Sequence, residues 1–322
     1  MQENKITFLL ALKERSEDTE NWIKFNFNAN YKYYIADGSF GNENKEIFFK
    51  YNFINITYKH YGYDDTIFKY INKLRTSIKE IDTEYIMFCD NDDYINPYGI
   101  EKCIEALDNN LDYTCAGGTI FSIFQNRSNP KYYNLPIPFL NNSKLHNKED
   151  KFSIFKEVRN EYTYLWYSVF RKKDLEKIWD FIYNFKIQNI MLIEILYNDM
   201  TLFWGKYYDI GENHYIRLMN TSKSDAFSFG SYYHKRIFFD NPYREDVNKL
   251  NILYSELFNK KVQEIEEIQS NFYLWYFNQP PRVKNIFFRK IHGLLIKFPF
   301  FKIKTCINFL NTYFFLKNKI NA

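Results

Sequence analysis

The stretch "YIMFCDNDDY", residues 85–94, joins five apolar residues to a turn that carries three aspartates. A continuous apolar run of this length is typical of a strand buried on both faces, as in a parallel sheet. Asp90, Asp92 and Asp93 crowd into four positions, and none of the ten residues is Lys or Arg. The stretch therefore predicts a buried strand that brings concentrated negative charge to one edge of a sheet.

Strand and helix patterns alternate on both sides of this stretch. Strand-like runs occupy residues 5–12, 31–37, 54–60 and 112–118, and helical patterns occupy residues 16–28, 64–81 and 96–110. This alternation predicts an α/β fold with a mostly parallel central sheet flanked by helices. Polar clusters, K-E-R-S-E-D, A-D-G-S and D-N-D-D, follow three of the strands. Because ligands of open α/β sheets bind beyond the carboxyl ends of strands, we expect the clusters to converge there.

The composition favours a protein of the cytoplasm over a secreted or membrane-spanning one. The chain has 322 residues, a net charge of +4 and four cysteines without a C-x-x-C pair. We read the cysteines as small buried residues of a reducing cytoplasm. Neither a signal peptide nor an apolar run long enough to span a bilayer is recognisable. We therefore expect a cytoplasmic protein.

The charge is uneven along the chain. From residue 268 onward there are nine Lys or Arg and no Asp or Glu. We expect a first domain over residues 1–225 and a helical, basic and aromatic C-terminal region over residues 226–322. Residues 283–322 suit a peripheral contact with anionic lipid on the inner face of the cytoplasmic membrane. A helical layer or a dimer contact with a solvated basic face explains them equally well, and no nucleic-acid module accompanies them.

Three interpretations of the carboxylate cluster differ in what they explain. A helix N-cap accounts for one or two of the aspartates. An EF-hand loop would need a later Gly and a terminal Glu that are missing. A divalent cation, Mg²⁺ or Mn²⁺, held by one or two of these carboxylates together with phosphate oxygens and water, accounts for the cluster and supplies the missing positive charge.

Taken together, the motifs resemble those of the GT-A fold nucleotide-sugar glycosyltransferases. The nearest group is family-2-like and inverting, and it contains bacterial surface-polysaccharide enzymes. The resemblance covers roughly residues 5–220 and rests on the segments "LLALKERS", "YYIADGS", "EYIMFCDNDDYINPYGIEKCIEAL", "DYTCAGG", "YSVFRKKDL" and "LIEILYNDMTLFWGKYYDIGENHYIRL". Many family members end the first strand with P-x-Y-N, where this chain has Ala11-Leu12-Lys13-Glu14. No aromatic residue for stacking a base is therefore identified there.

The resemblance implies roles for individual residues. Asp37 would accept a hydrogen bond from a uracil-type base, and Asp92 would bind the metal with help from Asp90. The complete set expected at the nucleotide sugar is Ala11, Lys13, Arg15, Asp37, Arg75, Asp90, Asn91 and Asp92. A turn residue at Asp37 and solvated charges at Lys13, Arg15 and Arg75 are the structural alternatives.

Inverting transfer also needs a general base for the acceptor hydroxyl. The candidates in the second half of the domain are Glu161, Glu194 and Asp199. Glu194 is preferred because it is a lone carboxylate in the apolar helix "NIMLIEILYN". Possible phosphate or acceptor contacts are His214, Arg217, Gly117 and Gly118.

The expected function is metal-dependent, inverting transfer of a sugar from a nucleotide sugar, with UDP as the preferred carrier. The acceptor would be a bacterial surface glycan or a lipid-linked glycan. A sugar nucleotidyltransferase is the enzyme alternative, although "LALKERSED" lacks the glycines of a phosphate loop. A catalytically silent, membrane-associated assembly protein of the same fold is the alternative from another class.

Overall fold

The computed structural model describes residues 5–51, 54–124, 137–140, 150–160, 164–219 and 243–278. The strands in these ranges are β1 (Ile6–Leu12), β2 (Lys32–Asp37), β3 (Ile56–His60), β4 (Tyr85–Cys89), β5 (Tyr94–Ile95), β6 (Cys115–Phe124), β7 (Ile137–Leu140), β8 (Val169–Arg171) and β9 (Tyr207–Met219). The helices are α1 (Ser16–Asn26), α2 (Glu43–Tyr51), α3 (Ile67–Glu80), α4 (Pro97–Asn109), α5 (Lys151–Asn160), α6 (Lys172–Phe185), α7 (Ile190–Trp204), α8 (Tyr243–Phe258) and α9 (Val262–Asn278).

The described strands form one sheet in the order β3-β2-β1-β4-β8-β6-β9-β5, with β7 beside β6. Strands β3, β2, β1 and β4 are parallel neighbours. Strand β8 is antiparallel to both β4 and β6, and β9 is parallel to β6, so β6 and β9 run in the direction of β1. The expected fold class, α/β with a mostly parallel central sheet flanked by helices, is confirmed.

Alternation along β1 shows how the sheet builds two cores. Phe8 and Leu10 belong to the core that contains Trp22 of α1, whereas Leu9 belongs to the core that contains Trp179 of α6. Successive side chains of a strand point to opposite faces, so an all-apolar strand must be covered on both sides. The carboxyl edge of the sheet thus has a rigid base.

Three elements differ from the sequence-based expectation. Helix α2 was not anticipated, because its apolar residues are few and its surface is mostly exposed. The pattern of "YTYLWYSVF" predicts a strand, but its described part is a turn followed by the short β8, since Leu165 donates its N–H to Asn198 and its carbonyl accepts the N–H of Ser168. The pattern of "KYYDIGENHYIRLMN" predicts a short strand and a loop, whereas β9 is long because it pairs with β6 along nearly its whole length.

Helices α8 and α9 share the core of the sheet. Leu250 and Tyr254 of α8 and Ile265 of α9 are fully buried in the same cluster as Leu9. The expected boundary between residues 225 and 226 and the basic segment 283–322 lie outside the described residues. Among the helices that the structure describes, none combines the length and the apolarity needed to cross a bilayer.

Candidate active site

The K-E-R turn after β1 contacts the turns after β2 and β4. The backbone N–H of Glu14 donates to Ser39 Oγ at 2.7 Å. Arg15 Nη2 donates to Asp92 Oδ2 at 2.6 Å. The three polar clusters therefore meet at the carboxyl edge of the sheet, as the strand order requires, and this expectation is confirmed.

The backbone of this turn is held in an unusual conformation. Glu14 and Arg15 have φ values of 55° and 60°, in the left-handed region that residues with a Cβ seldom adopt. The carbonyl oxygen of Arg15 accepts hydrogen bonds from the N–H groups of Asp18 and Thr19, both at 3.1 Å, and from the Asn91 side chain at 3.1 Å. These bonds fix the direction in which the Arg15 side chain leaves the turn.

A chain of buried hydrogen bonds connects the turns after β2 and β4. Asn91 donates to Thr19 Oγ1 at 2.9 Å, and Thr19 donates to Asn44 Oδ1 at 2.8 Å. Asn44 donates to Ser39 Oγ at 3.0 Å, and Ser39 donates to Asp37 Oδ1 at 2.6 Å. A fully satisfied network of this kind resists rearrangement. Thr19 and Asn44 are thus site residues that the sequence patterns did not identify.

Asp37 organises the turn after β2. It is fully buried, with 0% exposure. Its Oδ1 accepts from the backbone and hydroxyl of Ser39, and its Oδ2 accepts from the Tyr58 hydroxyl at 2.5 Å. These contacts favour the turn-residue interpretation, because a base would have to open the turn to reach the carboxylate.

Lys73, rather than the expected Arg75, reaches the carboxyl end of β1. Lys73 Nζ donates to the Leu12 carbonyl at 2.9 Å and forms an ion pair with Asp64, and both charged side chains are 1% exposed. Arg75 instead pairs with Asp180 of α6 and lies over the Tyr183 ring. Residues two positions apart in a helix lie about 200° apart around its axis, so Lys73 and Arg75 point to opposite sides of α3.

The three aspartates lie close enough to share one ion. One ligand oxygen from each of Asp90, Asp92 and Asp93 lies within 4.8 Å of the others. Asp90 accepts a hydrogen bond from the Tyr167 hydroxyl, and Asp93 Oδ1 accepts from the Leu218 N–H at 2.7 Å. Among the described residues, the buried Oδ2 of Asp93 has no hydrogen-bond partner. The cluster thus retains an oxygen able to bind a cation.

Burial and mutual repulsion act on these carboxyls. Desolvation raises the pKa of Asp90, and the charge of Asp92 raises it further. Desolvation also raises the pKa of Asp93 well above its usual range, with added repulsion from Asp92 and Asp90. Additional positive charge would stabilise the ionised forms of both groups.

Two arginines from distant parts of the chain supply positive charge to the cluster. Arg15 pairs directly with Asp92. Arg217 of β9 lies 5.2 Å from the ring centroid of Tyr164 and 5.4 Å from that of Tyr167, and its charge acts on Asp90 and Asp93. The sequence interpretation named Arg15 and Arg217 as contacts of phosphate or acceptor but assigned the counter-charge of the aspartates to a metal, because separation along the chain concealed these interactions.

His214 and the glycine pair have structural contacts. The N–H of Gly118 donates to His214 Nδ1 at 3.0 Å, and His214 Nε2 lies 2.9 Å from the Tyr167 carbonyl, to which it donates. Burial lowers the pKa of His214 to about 4. A Cβ on Gly118 would lie 2.1 Å from the Glu212 carbonyl oxygen, and one on Gly117 would also be crowded. His214, Gly117 and Gly118 thus pack β6 against β9. Arg217 is the charged residue among the four expected phosphate or acceptor contacts.

The two candidate bases in the described residues have different surroundings. Asp199 forms a buried bidentate ion pair with Arg159, at 2.9 and 2.6 Å, and also accepts from Tyr254. Glu194 is half-buried, and its charge acts on Tyr164 beside Arg217. The carboxylate of Asp199 is therefore engaged in a buried salt bridge, whereas Glu194 interacts electrostatically with Tyr164. Glu161 lies outside the described residues.

The donor set fits a hard divalent cation. Carboxylate oxygens are the ligands that Mg²⁺ and Mn²⁺ prefer, and Asp90, Asp92 and Asp93 provide three such groups. Within the part of the chain that the structure describes, Asp93 Oδ2 lacks a hydrogen-bond partner, and this observation favours a bound cation over a self-contained network. Arg15 occupies one oxygen of Asp92, so the cation and Arg15 would share this carboxylate.

One family model matches the middle of the chain. Residues 65–179 match the family described as Glycosyl transferase family 2. The match begins just before α3 and ends within α6, so it includes the turn with the three aspartates. Among curated proteins, no sequence matches this chain.

Solved structures with a similar chain path include S. aureus TarS. One TarS crystal structure has a TM-score of 0.42 and 12% identity, and the match covers 78% of this chain and 43% of that chain. The TarS 1-349 fragment in complex with UDP-GlcNAc has a TM-score of 0.45 and 14% identity, covering 79% of this chain and 73% of the fragment. This chain thus spans less than half the length of the first TarS chain. A likeness at this level assigns neither a donor nor an acceptor.

Proposed function

We propose that this protein, whose residues 65–179 match the glycosyl transferase family 2 model, transfers a sugar from a nucleotide sugar to a glycan acceptor. The observation that carries the proposal is the meeting of Arg15 with the Asp90–Asp93 turn at the carboxyl edge of the sheet. Cations and carboxylates combined in this way suit a diphosphate bound together with a divalent cation. UDP is the nucleotide that the sequence resemblance favours.

The leaving diphosphate defines the first task of the site. A divalent cation held by Asp92 and Asp90, with Asp93 alongside, would supply Lewis-acid stabilisation of the leaving phosphate. Lys13 and Arg15 lie on the same turn and provide donors for phosphate oxygens. Asn91 holds that turn through its bond to the Arg15 carbonyl, so its task is positioning.

The acceptor defines the second task. We assign the general base to Glu194, which is half-buried and electrostatically linked to Tyr164 beside the cluster. A carboxylate there would take the proton of the acceptor hydroxyl as that oxygen attacks the anomeric carbon on the face opposite the diphosphate. Single displacement of this kind inverts the anomeric configuration.

The direct test is a screen of nucleotide sugars with Mn²⁺ or Mg²⁺, read as release of the nucleoside diphosphate. Turnover of at least one UDP sugar, abolished by a chelator and restored by the metal, is the expected result. The anomeric configuration of the product, read by NMR, tests inversion. Absence of both nucleotide binding and turnover across the UDP, GDP and CDP sugars would contradict the proposal.

A lipid-linked surface glycan is the acceptor class that we propose, and the basic segment 283–322 is the proposed membrane contact. Its net positive charge is the supporting feature, because juxtamembrane Lys and Arg are attracted to anionic lipid. Full-length protein should co-sediment with vesicles that contain phosphatidylglycerol, less so at high salt. A chain ending before residue 283 should remain in the supernatant. Equal sedimentation of both would contradict the contact.

A further inference from the structure

Two exposed aromatic rings stand at the edge of the proposed donor site. Phe40, just after the A-D-G-S turn, is 83% exposed, and Tyr63, in the loop after β3, is 41% exposed. The ring centroids lie 5.7 Å apart with an interplanar angle of 88°, an edge-to-face pair. Such a pair leaves ring faces open to a flat ligand.

The pair is fixed to the site by backbone contacts. The N–H of Phe40 donates to Glu14 Oε1 at 2.9 Å, which joins Phe40 to the K-E-R turn. The N–H of Asp64, next to Tyr63, donates to the Gly38 carbonyl at 3.0 Å. Asp64 also packs so closely on Gly38 that a Cβ there would lie 2.0 Å from its Oδ2. The two loops are therefore held together at the base of the rings.

Charge beside the rings indicates the kind of ligand. Lys13 Nζ lies 5.3 Å from the centroid of the Tyr63 ring. Two residues further along the same turn, Arg15 reaches Asp92 of the carboxylate cluster. Along this edge of the sheet, the aromatic pair is followed by the two cationic side chains of Lys13 and Arg15 and then by the carboxylate cluster. A nucleoside diphosphate has the same order of parts: a flat base, then phosphates that require positive charge.

We infer that Phe40 is the stacking platform for the nucleotide base and that Tyr63 supports it from the side. This inference rests on the proposed function and deepens it by naming the base contact. It also supplies the aromatic ring for stacking a base that the end of β1, Ala11-Leu12-Lys13-Glu14, lacks. Because every base has a π-face, the platform contributes affinity for nucleotides without choosing among the bases.

The test compares ligands with and without a base on the full-length protein. Calorimetric titrations with UDP and with pyrophosphate are run in the presence of Mg²⁺. Phe40→Ala should weaken UDP binding by about 5- to 100-fold, the usual loss when a base loses its stacking ring. Pyrophosphate affinity should stay within about twofold, because the phosphate contacts are intact.

Further variants separate stacking from general apolar contact. Phe40→Trp should retain UDP affinity, whereas Phe40→Leu should behave like Phe40→Ala, since Leu has no π-face. Tyr63→Ala should give a smaller loss for UDP, and Tyr63→Phe none. Leu111→Ala is the matched control, because Leu111 is 79% exposed and lies before β6, at the opposite edge of the sheet.

Two results would overturn the inference, and a third would overturn the proposed function itself. Unchanged UDP affinity in Phe40→Ala excludes the platform, and so does an equal loss for UDP and pyrophosphate. Failure of the unmodified protein to bind either ligand would instead contradict the nucleotide-sugar site.

Discussion

Arg15 and Asp92 form a hydrogen-bonded ion pair at 2.6 Å although 77 residues separate them in the chain. Their side chains are 14% and 9% exposed, so water screens the pair only weakly. The pair joins the turn after β1 to the turn after β4. It also means that Asp92 is partly neutralised before any metal binds, and that Arg15 is already placed beside the proposed diphosphate.

Asp92→Asn should abolish metal-dependent transfer. We expect turnover to fall by about 100-fold or more, because even outer-shell partners of a metal are worth about 10- to 100-fold. Turnover and Mn²⁺ binding are measured on the same preparation. Asp18→Asn is the control, since Asp18 also pairs with Arg15 but stands outside the cluster. If the Asp92 variant keeps both metal-dependent binding and turnover, the metal assignment is wrong.

Glu194→Gln should remove transfer while leaving the donor bound. A positioned general base typically contributes about 10²- to 10⁴-fold, and that factor is the expected loss in kcat. The measurements are single-turnover kinetics and UDP titration. Glu264→Gln, an exposed acid in the first turn of α9, should have no effect. Weakened UDP binding in Glu194→Gln would show that Glu194 serves the donor and is not the base.

Asp199→Asn should destabilise the fold. Its partner Arg159 is 4% exposed and would keep a buried charge without an anionic partner at that position. Breaking a buried pair from one side costs about 3–5 kcal/mol, which urea unfolding resolves. Asp180→Asn is the matched surface control, because Asp180 pairs with Arg75 at 36% exposure and should cost less than about 1 kcal/mol. Equal costs would contradict the assignment of Asp199 to the core.

His214 should make stability sensitive to mild acid. Its pKa is lowered by burial from 6.5 to about 4, so the unfolded chain takes up a proton first as the pH falls. The His214 contribution is therefore intact above pH 6.5 and is lost progressively down to about pH 4. Over that window the unmodified protein should lose about 3 kcal/mol more than His214→Gln, measured by urea unfolding at each pH. Parallel stability curves for the two proteins would contradict a neutral buried imidazole.

The elements that sequence reasoning placed correctly are those with a strong local signal. β1 and β4 are continuous apolar runs, and α3 has a clear helical period. The convergence of the polar clusters followed from topology alone, because parallel neighbours end at the same edge. The secondary structure of these segments and the convergence of the polar clusters were thus predictable from the sequence.

Partners that are distant in the chain were not predictable. Nothing local in "HYIRLM" indicates that Arg217 lies over the rings of Tyr164 and Tyr167 and acts electrostatically on Asp90, since that arrangement depends on the register of β9 against β6. The same holds for the salt bridge of Asp199, which resembled Glu194 in sequence because both are carboxylates in an apolar helix. Pairing across elements decides which carboxylate is structural, and a single sequence does not record such pairing.

The bond between Asp93 and the Leu218 N–H spans 125 residues. Contacts this remote close large loops, and chains rich in them fold slowly. During synthesis, the carboxylates emerge from the ribosome long before β9 can pair with β6 and enclose them. We therefore expect the ability to bind nucleotide to arise late in folding, after Leu218 has been translated and docked. Nucleotide binding would then report that the entire sheet has assembled.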